Sequence, residues 1–227
     1  MLVLFDVDGT LLETRHAGTR SMHDAACELF GDTFTFDGVE IAGRIDPLIW
    51  SDVARVNGVD DPESHHERFR AVYARHLARR LAQKNRVSLM PGVTALLKRL
   101  SEADGVVLGL LTGNYPETGR MKIQAAGVDP DIFVVAAWGS DGGTRRDLPR
   151  VAMDRHRVIK GRSVAPGEVL IVGDTPHDVD CARACGCRSL AVATGTCPRR
   201  ELEGCGADLV VEDLSDTDSI FAWILGN

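Results

Sequence analysis

Short, continuous runs of apolar residues recur along the chain, and they constrain its fold more than any other feature. A strand with one exposed face alternates apolar and polar residues, whereas a strand buried on both faces is apolar throughout. Segments of helical length separate these runs, so strand and helix alternate, which predicts an α/β fold with a parallel sheet covered by helices. The predicted strands span residues 2–7, 106–111, 132–137, 169–172, 189–193 and 208–211.

One long stretch, residues 15–87, contains no such run and predicts an all-helical insert. We therefore expect a core formed by residues 1–14 and 88–227, with residues 15–87 as a helical cap domain. The helix-like segments of the insert span residues 18–30, 47–56 and 62–85. Further helices are expected in the core at residues 93–102, 118–126 and about 178–186.

The composition limits the kinds of partner. Only 5% of the 227 residues are aromatic and the net charge is -7, so neither stacking platforms nor a positive field favours nucleic acid. No run is long and apolar enough to span a bilayer, and Asp6 and Asp8 interrupt the apolar N-terminus too early for a signal sequence. We expect a cytoplasmic monomer or homodimer without membrane or nucleic-acid partners, whose six cysteines are reduced thiols.

Polar groups follow three of the predicted strands at their carboxyl ends, where open parallel sheets bind ligands. Asp6 and Asp8 follow the first strand, and Thr112-Gly113-Asn114 follows the second. Asp174 and Asp178 follow the fourth. Each motif alone is also typical of a helix cap or a turn. Their shared placement at strand ends predicts that the four carboxylates converge in one cleft.

Clustered carboxylates require a cation, because like charges raise one another's pKa. Mg²⁺ prefers oxygen ligands and commonly accompanies phosphate substrates. Asp6, Asp174 and the backbone carbonyl of Asp8 could hold this ion and leave room for a phosphate oxygen. The hydroxyl and amide groups around Thr112 and Gly113 could bind the other phosphate oxygens. The sequence thus predicts a magnesium site that takes a phosphorylated substrate.

Three motifs resemble those of the haloacid dehalogenase-like hydrolase superfamily: Asp6-Val7-Asp8-Gly9-Thr10, Leu111-Thr112-Gly113-Asn114 and Gly173-Asp174-Thr175-Pro176-His177-Asp178. The resemblance covers the whole chain. Gly43-Arg44-Ile45-Asp46-Pro47 and Met90-Pro91-Gly92-Val93 are similar to the phosphoglycolate phosphatase-like branch. This resemblance implies a Rossmann-like core with a helical cap, Mg²⁺ as cofactor and a small phosphorylated metabolite as substrate.

The resemblance also implies a role for each matching residue. Asp6 would be the nucleophile that forms an aspartyl-phosphate, and Asp8 would protonate the leaving oxygen and then activate water. Thr112 would bind a phosphate oxygen. The metal-binding residues would be Asp6, Asp8, Asp174 and Asp178. The substrate-binding residues would be Thr10, Gly113, Asn114 and, from a cap loop that could close over the cleft, Arg44.

One basic position departs from the family pattern. Most relatives have a Lys before the fourth motif that pairs with the nucleophile and the phosphate, but residues 139–148 contain none. Spacing to the following helix favours Arg145 as the replacement, with Arg146 as the alternative and Lys160 as a weaker candidate. An Arg can do the same electrostatic work through two parallel hydrogen bonds, so the mechanism does not depend on this choice.

Several functions stay open at this point. The leading hypothesis is a phosphomonoester hydrolase, with phosphoglycolate as the first candidate substrate. A β-phosphoglucomutase-like mutase would share every core residue and differ in the cap. Asp8 argues against a haloacid dehalogenase, because a halide leaves without a proton. The complete set of Asp6, Asp8 and Asp174 argues against a binding or regulatory protein without catalysis.

Two further clusters have an ordinary structural interpretation. The basic residues of segment 62–85 are more typical of a solvated helix face than of an anion site. Cys181, Cys185 and Cys187 have a spacing unlike that of common zinc sites and are more typical of core packing.

Overall fold

The computed structural model describes residues 1–226, and the predicted core ends at Asn227, outside this range. Six strands form one parallel sheet and two short strands form a separate antiparallel pair. The strands are β1 (Leu2–Phe5), β2 (Leu12–Glu13), β3 (Ser88–Leu89), β4 (Val107–Leu111), β5 (Val135–Ala137), β6 (Val169–Gly173), β7 (Arg188–Val192) and β8 (Leu209–Val211).

The parallel sheet has the order β5-β4-β1-β6-β7-β8, which confirms the predicted α/β fold. All six predicted strands are present. The predicted start of the third at residue 132 is wrong, because Pro130–Ile132 forms a 3₁₀ turn and β5 begins only at Val135. The β2–β3 pair was not predicted, because each of these strands has only two residues, too few to produce a recognisable sequence pattern.

β1 lies at the centre of the sheet. All four of its residues are fully buried, and it pairs with β4 on one side and with β6 on the other. The registers place Leu2 beside both Val107 and Val169. The segments that follow these three strands therefore leave the sheet side by side, as the convergence of the polar motifs requires.

Helices cover both faces of the sheet. The predicted helices are present, although α5 begins two residues early, at a proline suited to a first turn. The predicted end of the third cap helix at residue 85 is wrong. That helix ends at Leu81, and Asn85 has a φ of 59°, which a right-handed helix excludes. The helices are α1 (Ala17–Phe30), α2 (Asp46–Val56), α3 (Pro62–Leu81), α4 (Val93–Glu102), α5 (Pro116–Ala125), α6 (Leu148–Lys160), α7 (Pro176–Cys185), α8 (Arg199–Gly204) and α9 (Thr217–Leu225).

The insert has a hydrophobic core of its own, formed by α1, α2 and α3. The rings of Trp50 and Phe69 stack at a centroid distance of 4.2 Å, and Phe69 stacks in turn on Tyr73. We refer to α1–α3 and their connecting loops as the cap; the boundaries 15–87 stay a prediction. Among residues 1–226, no helix combines the length and the apolar character needed to cross a membrane.

Candidate active site

The chain turns back sharply after β1 and Asp6. Gly9 has a φ of 81°, a conformation that glycine adopts without strain, and its amide donates to the carbonyl of Leu12 at 2.9 Å. A Cβ atom at Gly9 would lie 2.4 Å from Oδ2 of Asp174. Glycine at this position therefore lets the carboxylates that follow β1 and β6 come together.

Asp6, Asp174 and Asp178 form a buried carboxylate cluster, in which one oxygen from each lies within 4.8 Å of the others. Burial raises the pKa of Asp6 to about 6; Arg145 opposes this rise, whereas Asp178 and Asp8 add to it. Burial also raises the pKa of Asp174 well above its usual value, with Asp6 and Asp178 contributing. Hard oxygen donors that repel one another in this way fit a divalent cation such as Mg²⁺.

Arg145 supplies a fixed positive charge to the cluster. Its Nη2 atom lies 3.1 Å from Oδ1 of Asp6 and also pairs with Oδ1 of Asp178. Its Nη1 donates to the carbonyl of Gly43, in the cap, at 3.1 Å. Its buried Nε has no hydrogen-bond partner within residues 1–226, so one N–H stays available to a further acceptor.

The two alternatives to Arg145 lie elsewhere. Arg146 is largely exposed and forms a bidentate pair with Asp180, at 2.6 and 2.8 Å. Lys160 is exposed at the end of α6. Of the three candidates, Arg145 alone contacts Asp6, so the geometry favours it as the replacement for the missing Lys.

The Asp8 carboxylate pairs with a different basic residue, Lys122. Its Oδ2 accepts hydrogen bonds from Nζ of Lys122 at 2.6 Å and from Nδ2 of Asn114 at 2.9 Å. The same Nζ donates to Oδ1 of Asn114 at 2.6 Å, and Nδ2 of Asn114 also donates to Oγ1 of Thr112 at 2.8 Å. The Asp8 side chain is not part of the carboxylate cluster. The predicted metal-binding role of Asp8 stays a prediction, and its backbone carbonyl is the candidate ligand.

Two hydroxyl groups hold carboxylates of the cluster in place. Thr10, which is fully buried, donates from Oγ1 to Oδ1 of Asp174 at 3.0 Å. Thr175 donates to Oδ2 of Asp178 from its amide at 3.1 Å and from Oγ1 at 2.6 Å. Thr10 thus fixes an acidic residue here, and its predicted contact with substrate stays a prediction.

A cap loop lies directly on the loop that follows β4. The amide of Asp46 donates to the carbonyl of Gly113 at 2.7 Å, and the amide of Tyr115 donates back to Oδ2 of Asp46 at 3.1 Å. A Cβ atom at Gly113 would lie only 2.0 Å from the carbonyl oxygen of Arg44. The backbone of the cap loop therefore contacts the backbone of the loop after β4 directly.

The guanidinium of Arg44 is engaged within the cap. It pairs with Asp52 at 2.8 Å and with Glu40 at 3.4 Å. Arg44 still lines the cleft. Its predicted contact with substrate stays a prediction, and it would require an exchange of partners.

The cleft between core and cap has a volume of about 530 Å³. The core side presents the acidic and polar groups described above. The cap side mixes polar and apolar side chains: His16, Thr19, Met22, Ile41, Ile49 and Tyr73.

Part of the basic stretch of α3 faces the core rather than solvent, contrary to the solvated face expected from the sequence. Nε2 of His66 lies 2.7 Å from the hydroxyl of Tyr115. Arg70 forms a bidentate pair with Glu117 of α5, at 2.6 and 2.8 Å. These contacts join the cap to the core, because α5 belongs to the core.

The six thiols are free and, within the described residues, none belongs to a group that could bind a metal. Cys181 and Cys187 are buried in the core, and Sγ of Cys181 donates to the carbonyl of Asp178 at 3.3 Å.

Sequence reasoning missed Lys122, Asp46 and Thr194. Lys122 had a detectable signal, because its charge falls on the buried face of a predicted helix. Thr194, in the loop after β7, donates from Oγ1 to the carbonyl of Gly9 at 2.5 Å, a contact that no local pattern reveals. The buried positions of α5 are Thr118, Gly119, Lys122 and Ile123.

Comparison with known proteins agrees with the motifs. A family model described as haloacid dehalogenase-like hydrolase matches residues 3–192. The tyrosine-protein kinase PtkA of Mycobacterium tuberculosis is 30% identical over 196 residues, which are 86% of this chain but only 62% of that protein. The chain therefore spans less than two thirds of the kinase's length.

Two other similar proteins are matched over most of their length. A phosphoglycolate phosphatase of Mesorhizobium japonicum is 29% identical over 209 residues, or 89% of this chain and 87% of that protein. The crystal structure of CbbY from Rhodobacter sphaeroides in complex with phosphate superposes with a TM-score of 0.77 at 21% identity, covering 95% of each chain. The likeness to CbbY shows a shared fold.

Proposed function

Because the chain belongs to the haloacid dehalogenase-like hydrolase family, we propose that it is a Mg²⁺-dependent phosphatase that hydrolyses a small phosphomonoester through an aspartyl-phosphate on Asp6. One observation carries this proposal: Asp6 is a buried carboxylate held 3.1 Å from Nη2 of Arg145. An anionic nucleophile that attacks an anionic phosphoryl group needs fixed positive charge beside it, and Arg145 supplies that charge.

The reaction has two steps. First, a carboxylate oxygen of Asp6 attacks phosphorus, the bond to the leaving oxygen breaks, and Asp8 gives that oxygen its proton. Second, water attacks the phosphorus of the aspartyl-phosphate, Asp8 takes the water proton, and the bond between phosphorus and Asp6 breaks. Arg145 stays charged throughout and orients Asp6.

Asp6, Asp174, Asp178 and the backbone carbonyl of Asp8 would hold the metal. When bound, Mg²⁺ supplies positive charge that neutralises the oxygens of the transferring phosphoryl group. The hydroxyl of Thr10 keeps the Asp174 carboxylate oriented toward this position.

The substrate is small. Thr112, Gly113 and Asn114 would bind phosphate oxygens beside Asp6, and the cleft of about 530 Å³ leaves room for a compact leaving group under the cap. Phosphoglycolate is the first substrate to test, because a relative with 29% identity carries the name phosphoglycolate phosphatase.

The acceptor of the phosphoryl group separates this proposal from its alternatives. A mutase would return the group to a phosphorylated sugar. A relative named as a tyrosine-protein kinase makes a tyrosine hydroxyl a second acceptor worth testing. Each alternative would use the same carboxylates. A mutase would differ in the acceptor that enters the cleft after the first step, and a kinase would differ in its phosphoryl donor, ATP, as well as in the acceptor.

The test is phosphate release from a panel of phosphomonoesters, with and without Mg²⁺, by the wild type and Asp6→Asn. The proposal expects release that requires Mg²⁺ and disappears in the variant. Release by Asp6→Asn would contradict it. Turnover only with a sugar bisphosphate would indicate a mutase, and labelling of a tyrosine peptide from ATP without phosphate release would indicate a kinase.

A further inference from the structure

A lysine that sequence reasoning did not single out is buried beside the site. Lys122, on α5, is only 4% exposed. A lysine is almost never buried this deeply without a partner, and both partners found here are polar groups of the cleft. Its Nζ donates to Oδ2 of Asp8 and to Oδ1 of Asn114, each at 2.6 Å.

The surroundings fix the ammonium group. A Cβ atom at Gly18 of α1 would lie 3.1 Å from Nζ of Lys122, and the hydroxyl of Tyr73 borders the same space. The cap backbone therefore closes the far side of the ammonium group, which restricts where it can move.

The two basic side chains of the site, Arg145 and Lys122, contact different carboxylates. Arg145 contacts Asp6 and Asp178, whereas Lys122 contacts Asp8. Both hydrogen bonds to Asp8 end on Oδ2, and Oδ1 has no hydrogen-bond partner in the described part of the chain. Oδ1 is thus the oxygen of Asp8 that is left free to contact a group in the cleft.

We propose that Lys122 is a positioning residue for proton transfer by Asp8. With Asn114 it holds Oδ2, so that Oδ1 is presented to the leaving oxygen in the first step and to the attacking water in the second. The inference rests on the proposed function. Asp8 Oδ1 gives its proton to the leaving oxygen as the P–O bond breaks, and it recovers a proton from water as the aspartyl-phosphate is hydrolysed.

Two substrates whose leaving groups differ in their need for a proton test this role. Dinitrophenolate leaves without a proton, whereas the leaving oxygen of phenyl phosphate benefits from one. Lys122→Met keeps the aliphatic stem and removes the ammonium group. Lys98→Met, on the exposed face of α4, is the matched control. Stopped-flow kinetics with both esters separates formation of the aspartyl-phosphate from its hydrolysis.

With dinitrophenyl phosphate, Lys122→Met is expected to keep a burst of about one product per site and to lose about 100-fold in the steady state that follows. With phenyl phosphate, formation of the aspartyl-phosphate itself should slow about 100-fold. Lys98→Met should match the wild type with both esters.

A double-mutant cycle distinguishes a loss of activity that acts through Asp8 from one caused by a general disturbance of the fold. If Lys122 acts through Asp8, adding Lys122→Met to Asp8→Asn should lower neither step by more than about twofold. A multiplicative loss in the double variant would overturn the inference. So would a burst with dinitrophenyl phosphate that slows as much as the reaction of phenyl phosphate.

Wild-type activity of Lys122→Met would also overturn it. Should this variant fail to fold, Lys122→Gln is put through the same cycle and judged by the same criteria. The proposed function fails separately: a wild type that neither releases phosphate nor forms a phosphoenzyme would overturn it, together with this inference.

Discussion

Nη2 of Arg145 lies 3.1 Å from Oδ1 of Asp6, and the same guanidinium pairs with Asp178. One side chain therefore joins the carboxylates that follow two adjacent strands, β1 and β6. Burial lowers the pKa of Arg145, but Asp178 and Asp6 outweigh burial and raise it, so the side chain keeps its charge.

Replacing Arg145 should damage both catalysis and stability. Arg145→Met is expected to lower kcat/KM about 100- to 1000-fold, because the transferring phosphoryl group loses a fixed donor. It should also lower the free energy of unfolding in metal-free buffer by about 3 kcal/mol, because two buried carboxylates lose their partner. Steady-state kinetics and urea unfolding measure the two effects. Arg146→Met, in an exposed pair, is the control, and equal losses in both variants would contradict the assignment.

Asp46 should make stability depend on pH. Burial raises its pKa to about 7, although Lys122 opposes the shift, and the usual value is 3.8. Between these values the folded state keeps a proton that the unfolded state has lost, so the free energy of unfolding falls as pH rises through this window. Asp46→Asn should gain a few kcal/mol over the wild type above pH 7 and nothing near pH 4. Urea unfolding across this range gives the difference.

The matched control for Asp46 is Asp37→Asn, an exposed carboxylate of the same cap. A gain for Asp46→Asn that is constant from pH 4 to pH 8 would show that titration of Asp46 is not its cause.

Mg²⁺ should stabilise the folded protein by relieving repulsion in the carboxylate cluster. At about 100 times its dissociation constant it should add about 2.7 kcal/mol. This corresponds to a rise in Tm of about 5–10 °C for a chain of this size. Asp174→Asn should be more stable than the wild type in metal-free buffer, because burial raises the pKa of Asp174 well above its usual value.

The same variant should lose most of the response to Mg²⁺ in thermal melts, whereas the exposed Asp154→Asn should respond like the wild type. If Mg²⁺ stabilised Asp174→Asn as much as the wild type, the assignment of Asp174 as a metal-binding residue would be contradicted.

The pair between Arg70 of the cap and Glu117 of the core should contribute a measurable coupling. The two side chains are 25% and 36% exposed, and their geometry is bidentate, so a double-mutant cycle is expected to give about 1 kcal/mol. Urea unfolding of Arg70→Met, Glu117→Gln and the double variant measures this energy. Strict additivity would mean that the pair does not help to hold the cap on the core.

The features that could be predicted from the sequence are local ones. A continuous apolar run followed at once by Asp6 and Asp8 identifies both a buried strand and the polar groups at its end. Because adjacent parallel strands end at one edge, this pattern was enough to bring Thr112 and Asp174 to the same cleft. Arg145 could be chosen over Arg146 by its spacing to the next helix, and its contact with Asp6 agrees with that choice.

The features that could not be predicted depend on packing between distant segments. Lys122 reaches Asp8 only because α5 and the loop after β1, which are 114 residues apart in sequence, lie together in the fold. Asp46 contacts Gly113 and Tyr115 only because the cap folds back over the core. Neither contact has a local periodicity, so a motif search finds the acids of the site and overlooks what holds them.

The backbone contact between the cap loop and Gly113 has a consequence for how such an enzyme can change. The amide of Asp46 and the carbonyl of Gly113 are groups that almost every amino acid carries, so this part of the seal over the cleft is largely insensitive to which side chains the cap displays. Mutations of His16 or Thr19, which line the cleft without belonging to the hydrophobic core of the cap, can change the surface that faces the substrate while this backbone contact is kept. Selection for a new substrate can therefore act on these positions while the carboxylate cluster beneath the cap stays unchanged.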